Sequence, residues 1–243
     1  MCHDDDSRPP SPPTVGEVAR EGVLTLTGGD GNTFAAYEAV PAAPNGRNIV
    51  ILPDVRGLHP YYEALAVRFA EAGFHAVAFD YFGRTQGAAQ RPDGFDWQSE
   101  IPALTSAGVE SDVAATAAYV NGINPGPTFT VGFCFGGSHS WRLSASDLDL
   151  AGVMGFYGRP PMVEDVEDRF AKPLLLLVGG ADQATPVEDF RALDGRLTER
   201  GIDHEMYVYD GAPHSFFDRA FAEWKDACAD AWQRMLAFTE RLS

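Results

Sequence analysis

The sequence predicts an α/β fold with a mostly parallel central sheet and helices on both faces. Three observations predict it. Short runs that are apolar throughout, such as residues 48–52 and 174–178, alternate with longer stretches of helical period. Strands that are apolar on both sides belong to a sheet covered on both faces. A glycine-rich turn at 132–137 joins one such strand to a helical stretch, as strand–helix alternation requires.

The elements follow in order. Residues 1–20 are expected to form a flexible, proline-rich tail, because Pro9, Pro10, Pro12 and Pro13 favour extended chain; Cys2 and His3 sit in it. Residues 21–243 are read as a single domain. Apolar runs at 23–27 and 34–40 flank Gly28-Gly29-Asp30-Gly31-Asn32, a hairpin signal. That glycine cluster lacks the lysine and following helix of a phosphate loop. Strands are expected at 48–52, 74–79, 128–133, 151–156, 174–178 and 204–209, with helices over 61–72, 109–120, from 136, over 187–200 and from about 221. In the last helix Phe221, Trp224, Cys228, Ala231, Met235, Phe238 and Leu242 recur at three- and four-residue steps. This stripe predicts docking on the sheet, with Cys228 as core filler.

Composition narrows the function. The chain has 243 residues, 45% of them hydrophobic, enough for a sizeable core. Its formal net charge of −17 argues against nucleic acid and anionic membrane surfaces as partners. Three cysteines without a CxxC pair give neither a disulfide framework nor a zinc scaffold, and suit reduced thiols in the cytoplasm. The acidic start lacks the features of a secretory signal, and no apolar stretch reaches the roughly 18 residues of a membrane span. No metal or cofactor is expected. The expected partner is a small-molecule lactone or ester, and the expected state a monomer or small homo-oligomer.

The strongest local signal is Gly132-Phe133-Cys134-Phe135-Gly136-Gly137, a G-x-S-x-G nucleophile elbow with cysteine in place of serine. Small residues two before and two after the nucleophile relieve a tight turn, and the N-terminus of the following helix favours a thiolate. The alternative is a buried cysteine in a glycine-rich turn. Chain order favours catalysis: the acid and then the histidine follow the nucleophile in this architecture. Asp182 follows the 174–178 strand and His214 the 204–209 strand, both at carboxyl ends, where parallel sheets place their sites. Cys134 would attack an acyl carbon, His214 would move the proton, and Asp182 would fix the imidazole. The oxyanion would take hydrogen bonds from the N–H groups of Phe135 and Val55.

This set resembles the dienelactone hydrolases, cysteine members of the α/β-hydrolase fold. The resemblance runs through the opening hairpin, Leu52-Pro53-Asp54-Val55-Arg56-Gly57, Asp80-Tyr81-Phe82-Gly83-Arg84, the elbow, Asp182 and His214. It implies ring-opening hydrolysis of a carboxylate-bearing enol-lactone. It further implies that Asp54, where studied members carry glutamate, contacts the resting thiol, and that Arg84 and Arg219 hold the substrate carboxylate. The alternatives are a loop-capping carboxylate for Asp54 and surface arginines for the other two. Two cleft arginines could outweigh the protein's screened acidic field. His59 could line the cleft, and Phe95 and Trp97 could cap it. A broader carboxylesterase or thioesterase with the same triad, or a non-catalytic binding protein on this fold, are the rival readings.

Overall fold

The structure, a computed structural model, describes residues 7–92, 94–218 and 221–243. Its centre is one eight-stranded sheet: β1 (Val18–Thr27), β2 (Thr33–Pro41), β3 (Asn48–Leu52), β4 (His75–Phe79), β5 (Thr128–Phe133), β6 (Gly152–Phe156), β7 (Leu174–Gly179) and β8 (His204–Tyr209). The spatial order is β1-β2-β4-β3-β5-β6-β7-β8. β1 and β2 form the expected hairpin, and β2 joins β4 antiparallel. Every later pairing is parallel. The helices are α1 (Pro60–Glu71), α2 (Gly83–Gln86), α3 (Trp97–Glu100), α4 (Ser106–Ile123), α5 (Phe135–Arg142), α6 (Val187–Glu199) and α7 (Lys225–Arg241).

Alternation along the strands builds two cores. Ile49, Ile51, Leu175 and Leu177 face the side covered by α1 and α7, where Phe69, Trp232 and Phe238 pack. Val50, Leu52, Leu174, Leu176 and Val178 face the side of α4, α5 and α6, against Val113, Trp141 and Phe190. Apolar residues at successive positions therefore serve both faces, which is why these runs show no polar phase. The α7 stripe docks as expected: Cys228, Ala231, Met235 and Phe238 are buried, together with Trp232. Among the described residues no helix is long and apolar enough to cross a membrane.

The start of the chain departs from the expected loose tail. Residues 1–6, with Cys2 and His3, lie outside the described residues. Pro9, Pro10 and Pro12 are buried, and Trp232 Nε1 donates to Pro10 O at 3.1 Å. Gly16 N donates to Glu71 O at 2.7 Å, and β1 already begins at Val18. Proline content sets the backbone to extended, but a tertiary partner decides whether that extended chain docks. Here the α7 tryptophan supplies the partner.

Candidate active site

The elbow forms where the sequence puts it. β5 ends at Phe133, α5 begins at Phe135, and Cys134 joins them at φ 54°, ψ −111°. A side chain in that left-handed region is strained, and such strain gathers at functional sites. The flanking glycines are steric necessities. A Cβ on Gly132 would lie 1.9 Å from Gly136 O, and one on Gly136 would lie 2.2 Å from Leu52 O and 2.3 Å from Pro53 O. The same closeness brings the elbow against the loop after β3, which carries Asp54 and Val55. Cys134 is half-buried, whereas Cys228 is buried and its thiol donates to Phe216 O at 3.4 Å. Burial, with the Asp218 charge second, pushes the Cys228 thiol up to about 12, so it stays protonated.

The loops after β7 and β8 are laced together. Gly180 N donates to Tyr209 O at 2.8 Å and Ala181 N to Ala212 O at 2.9 Å. A Cβ on Gly179 would come within 2.7 Å of Pro213 O, so the crossing tolerates only glycine there. The lacing sets Asp182 beside His214: Asp182 Oδ2 lies 2.7 Å from His214 Nδ1. Asp182 Oδ1 accepts from Ala184 N at 2.7 Å and Thr185 N at 3.2 Å, which fixes the carboxylate's rotation. A carboxylate at Nδ1 favours the tautomer that carries its proton there, which in a neutral ring leaves Nε2 unprotonated.

Phe135 supplies the first N–H of α5, a position with no intrahelical acceptor. Val55 lies in the loop whose Leu52 and Pro53 carbonyls abut Gly136. Asp54 is fully buried. Its Oδ1 accepts from Arg56 N at 2.9 Å, and its Oδ2 pairs with Arg56 Nη2 at 3.0 Å. It thus caps its own loop and neutralises a nearly buried arginine. Tyr81 Oη donates to Pro53 O at 2.7 Å. Burial first, then the Asp54, Asp80 and Cys134 charges, pushes its phenol far above the ordinary range.

The remaining expected residues have the following partners. Arg84 is engaged by the protein itself: it pairs with Asp30 in the hairpin turn and with Asp112 Oδ1 at 2.7 Å, and donates to Gly108 O at 3.0 Å. Arg219 lies outside the described residues. His59 is the N-cap of α1, its Nδ1 accepting from Tyr61 N at 3.4 Å, with Pro60 opening the helix. Phe95 and Trp97 are half-buried, and Phe95 sits edge-on to Phe82 with ring centroids 5.2 Å apart. A groove of about 790 Å³ between β8 and the start of α7, lined by Tyr207, Tyr209 and Trp224, includes none of Cys134, Asp182 and His214.

Two residues near His214 carried no sequence signal. Tyr157 follows β6 at φ 35°, and its ring centroid lies 4.8 Å from that of the imidazole. Asp218, fully buried, accepts from Tyr157 Oη at 2.8 Å. A tyrosine directly after a strand, ahead of a glycine, was their only trace.

His139 is set against Phe135, ring centroids 4.4 Å apart, and is 5% exposed. Burial, helped by the Arg142 charge, lowers its pKa from 6.5 to about 4. A histidine depressed in the folded state stabilises fully above its unfolded pKa, and that stability is lost as pH falls through the folded value. Between pH 6.5 and 4 the wild type should lose up to about 3 kcal/mol through this group. Denaturant midpoints of wild type and His139→Gln should diverge in slope over that window. Parallel pH profiles would contradict this assignment.

A model of the dienelactone hydrolase family matches residues 34–243. A Synechocystis protein named "putative carboxymethylenebutenolidase" is 28% identical over 224 residues, spanning 83% of this chain and 89% of its own. Among solved structures, a dienelactone hydrolase-like promiscuous phosphotriesterase from metagenomic libraries superposes with a TM-score of 0.74. It is 21% identical and covers 91% of this chain and 98% of its own. An esterase from Pyrococcus furiosus gives a TM-score of 0.68 at 15% identity, over 97% and 98%. At those identities the two solved structures speak for the fold.

Proposed function

The chain belongs to the dienelactone hydrolase family, hydrolases of ester and lactone bonds, and from that premise we propose that Cys134 is its nucleophile and a carboxylate-bearing enol-lactone its substrate. The observation that carries the reading is the backbone of Cys134, held at φ 54° at the start of α5 between glycines that admit no side chain. Strain of this kind gathers at functional sites, and the turn puts Cys134 just past the carboxyl end of β5. The Asp182–His214 contact at 2.7 Å supports it.

The steps follow from these groups. His214 Nε2 takes the thiol proton as Sγ bonds to the acyl carbon, and the carbonyl π pair moves onto oxygen. The N–H groups of Phe135 and Val55 hold that oxyanion. When it collapses, the ring C–O bond breaks, and the leaving oxygen stays tethered to the acyl chain and departs as an enolate, which takes the imidazolium proton on oxygen or carbon. A water then gives His214 a proton and attacks the thioester, releasing the acid and restoring the thiol. A thiol nucleophile must stay reduced, which suits a cytoplasmic setting.

A second reading is a broader carboxylesterase or thioesterase with the same triad. The occupation of Arg84 by Asp30 and Asp112 favours it, because a cation already paired holds a substrate carboxylate less well. A panel of carboxylate-bearing enol-lactones, neutral lactones, aryl esters and thioesters separates the two. The proposal expects the highest kcat/KM on the carboxylate-bearing lactones. A preference for neutral aryl esters or thioesters would remove that substrate class and leave the second reading.

A further inference from the structure

The turn that carries His214 is fastened by a second carboxylate besides Asp182. Asp218, four residues on, is fully buried, and its Oδ2 accepts from Tyr157 Oη at 2.8 Å. The Tyr157 ring in turn lies 4.8 Å from the His214 imidazole, tilted by 52°. Asp218 N donates to Ser215 O at 3.3 Å, and Tyr61 Oη, reaching from α1, donates to Phe217 O at 3.2 Å. These contacts close a loop: His214, the turn 215–218, the Asp218 carboxylate, the Tyr157 hydroxyl and ring, and the imidazole again.

Backbone strain sits at both ends of that loop. Among the described residues the non-glycine positions at positive φ are Cys134, Tyr157 at 35° and Ser215 at 67°. All three border the site. Strain of this kind persists only where the surroundings over-determine it. Space-filling does not account for the hydroxyl–carboxylate pair. Tyr157 already packs among Phe133, Phe156 and Phe216, and phenylalanine would fill the same room without a carboxylate that is costly to bury. What the pair adds is a fixed place for the Tyr157 ring.

We propose that Tyr157 and Asp218 are positioning residues that hold the His214 imidazole on the side Asp182 does not reach. The Asp182 contact is made at Nδ1, and the Tyr157 ring meets the imidazole with centroids 4.8 Å apart. Tethered through its hydroxyl to Asp218, that ring limits how far the imidazole can turn about its contact with Asp182. Neither residue touches the reacting atoms, and the inference rests on His214 being the base of the proposed reaction.

Tyr157→Phe removes one oxygen and keeps the ring. Asp218→Ala removes the acceptor, and Asp218→Asn keeps one. Tyr157→Phe and Asp218→Ala should each lower kcat about ten- to a hundredfold, the scale of a misplacement near 1 Å, with KM within about twofold of wild type. Asp218→Asn should recover most of the loss. The double variant Tyr157→Phe/Asp218→Ala should be no slower than Asp218→Ala alone, because the bond that Tyr157→Phe cuts is already gone there. Rates are taken per active site, titrated by alkylation of Cys134. Wild-type kcat per site in Tyr157→Phe overturns the proposal, whether or not the Asp218 variants fold. So does a loss confined to thermal stability. Failure of the underlying reading is separate, and would show as activity in Cys134→Ala.

Discussion

Cys134→Ala should reduce hydrolysis of the best ester or lactone by at least about ten-thousandfold, with KM of any residual activity little changed. The fold should survive. Alanine keeps the β-carbon that already occupies φ 54°, and the side chain removed is half-buried, so little packing is lost. The contrast is Gly136, where a Cβ would lie 2.2 Å from a backbone oxygen that cannot yield. A loss of activity in Gly136→Ala would therefore say nothing about chemistry, whereas a loss in Cys134→Ala with an unchanged near-UV spectrum isolates the sulfur. Residual turnover would come from the oxyanion donors and binding alone. Undiminished rates in the variant would take Cys134 out of the mechanism.

Asp182→Asn should lower kcat by about a thousand- to ten-thousandfold with little change in KM, because it reverses the imidazole's tautomer. The geometry makes this specific. Asp182 Oδ1 is fixed by the N–H groups of Ala184 and Thr185, so an asparagine at 182 turns its carbonyl oxygen to those donors. Its amide NH₂ then faces His214 Nδ1, where Oδ2 stood at 2.7 Å. Nδ1 becomes the acceptor, the ring proton moves to Nε2, and no base remains towards the thiol. A pH–rate profile of the variant should lack the limb assigned to His214. An activity loss of less than about tenfold would mean that the thiolate forms without help from an oriented imidazole.

The sequence made the parallel sheet and the elbow legible for different reasons. Runs such as Leu174 to Val178 are apolar at every position because both faces are covered, and that pattern survives without any tertiary knowledge. The elbow was legible because steric demands select glycine at 132 and 136, and because strand ends, not sequence distance, place Asp182 and His214. What depended on partners far along the chain was hidden. Arg84 finds Asp30 and Asp112 only once the hairpin turn and α4 meet. The proline-rich start docks because Trp232, more than two hundred residues away, offers its indole N–H to Pro10. His59 caps α1, a role that the following Pro60 could have signalled. Tyr157 and Asp218 carry no motif at all; their link to His214 exists only in the folded loop.

The most direct test of the account is to quench the enzyme during turnover of an activated aryl ester and map the covalent adduct by peptide mass spectrometry. One acyl group, in thioester linkage, is expected on the peptide containing Cys134, and none on that peptide in Cys134→Ala. An acyl group found instead on a serine or on Cys228, with Cys134 unmodified throughout turnover, would contradict it.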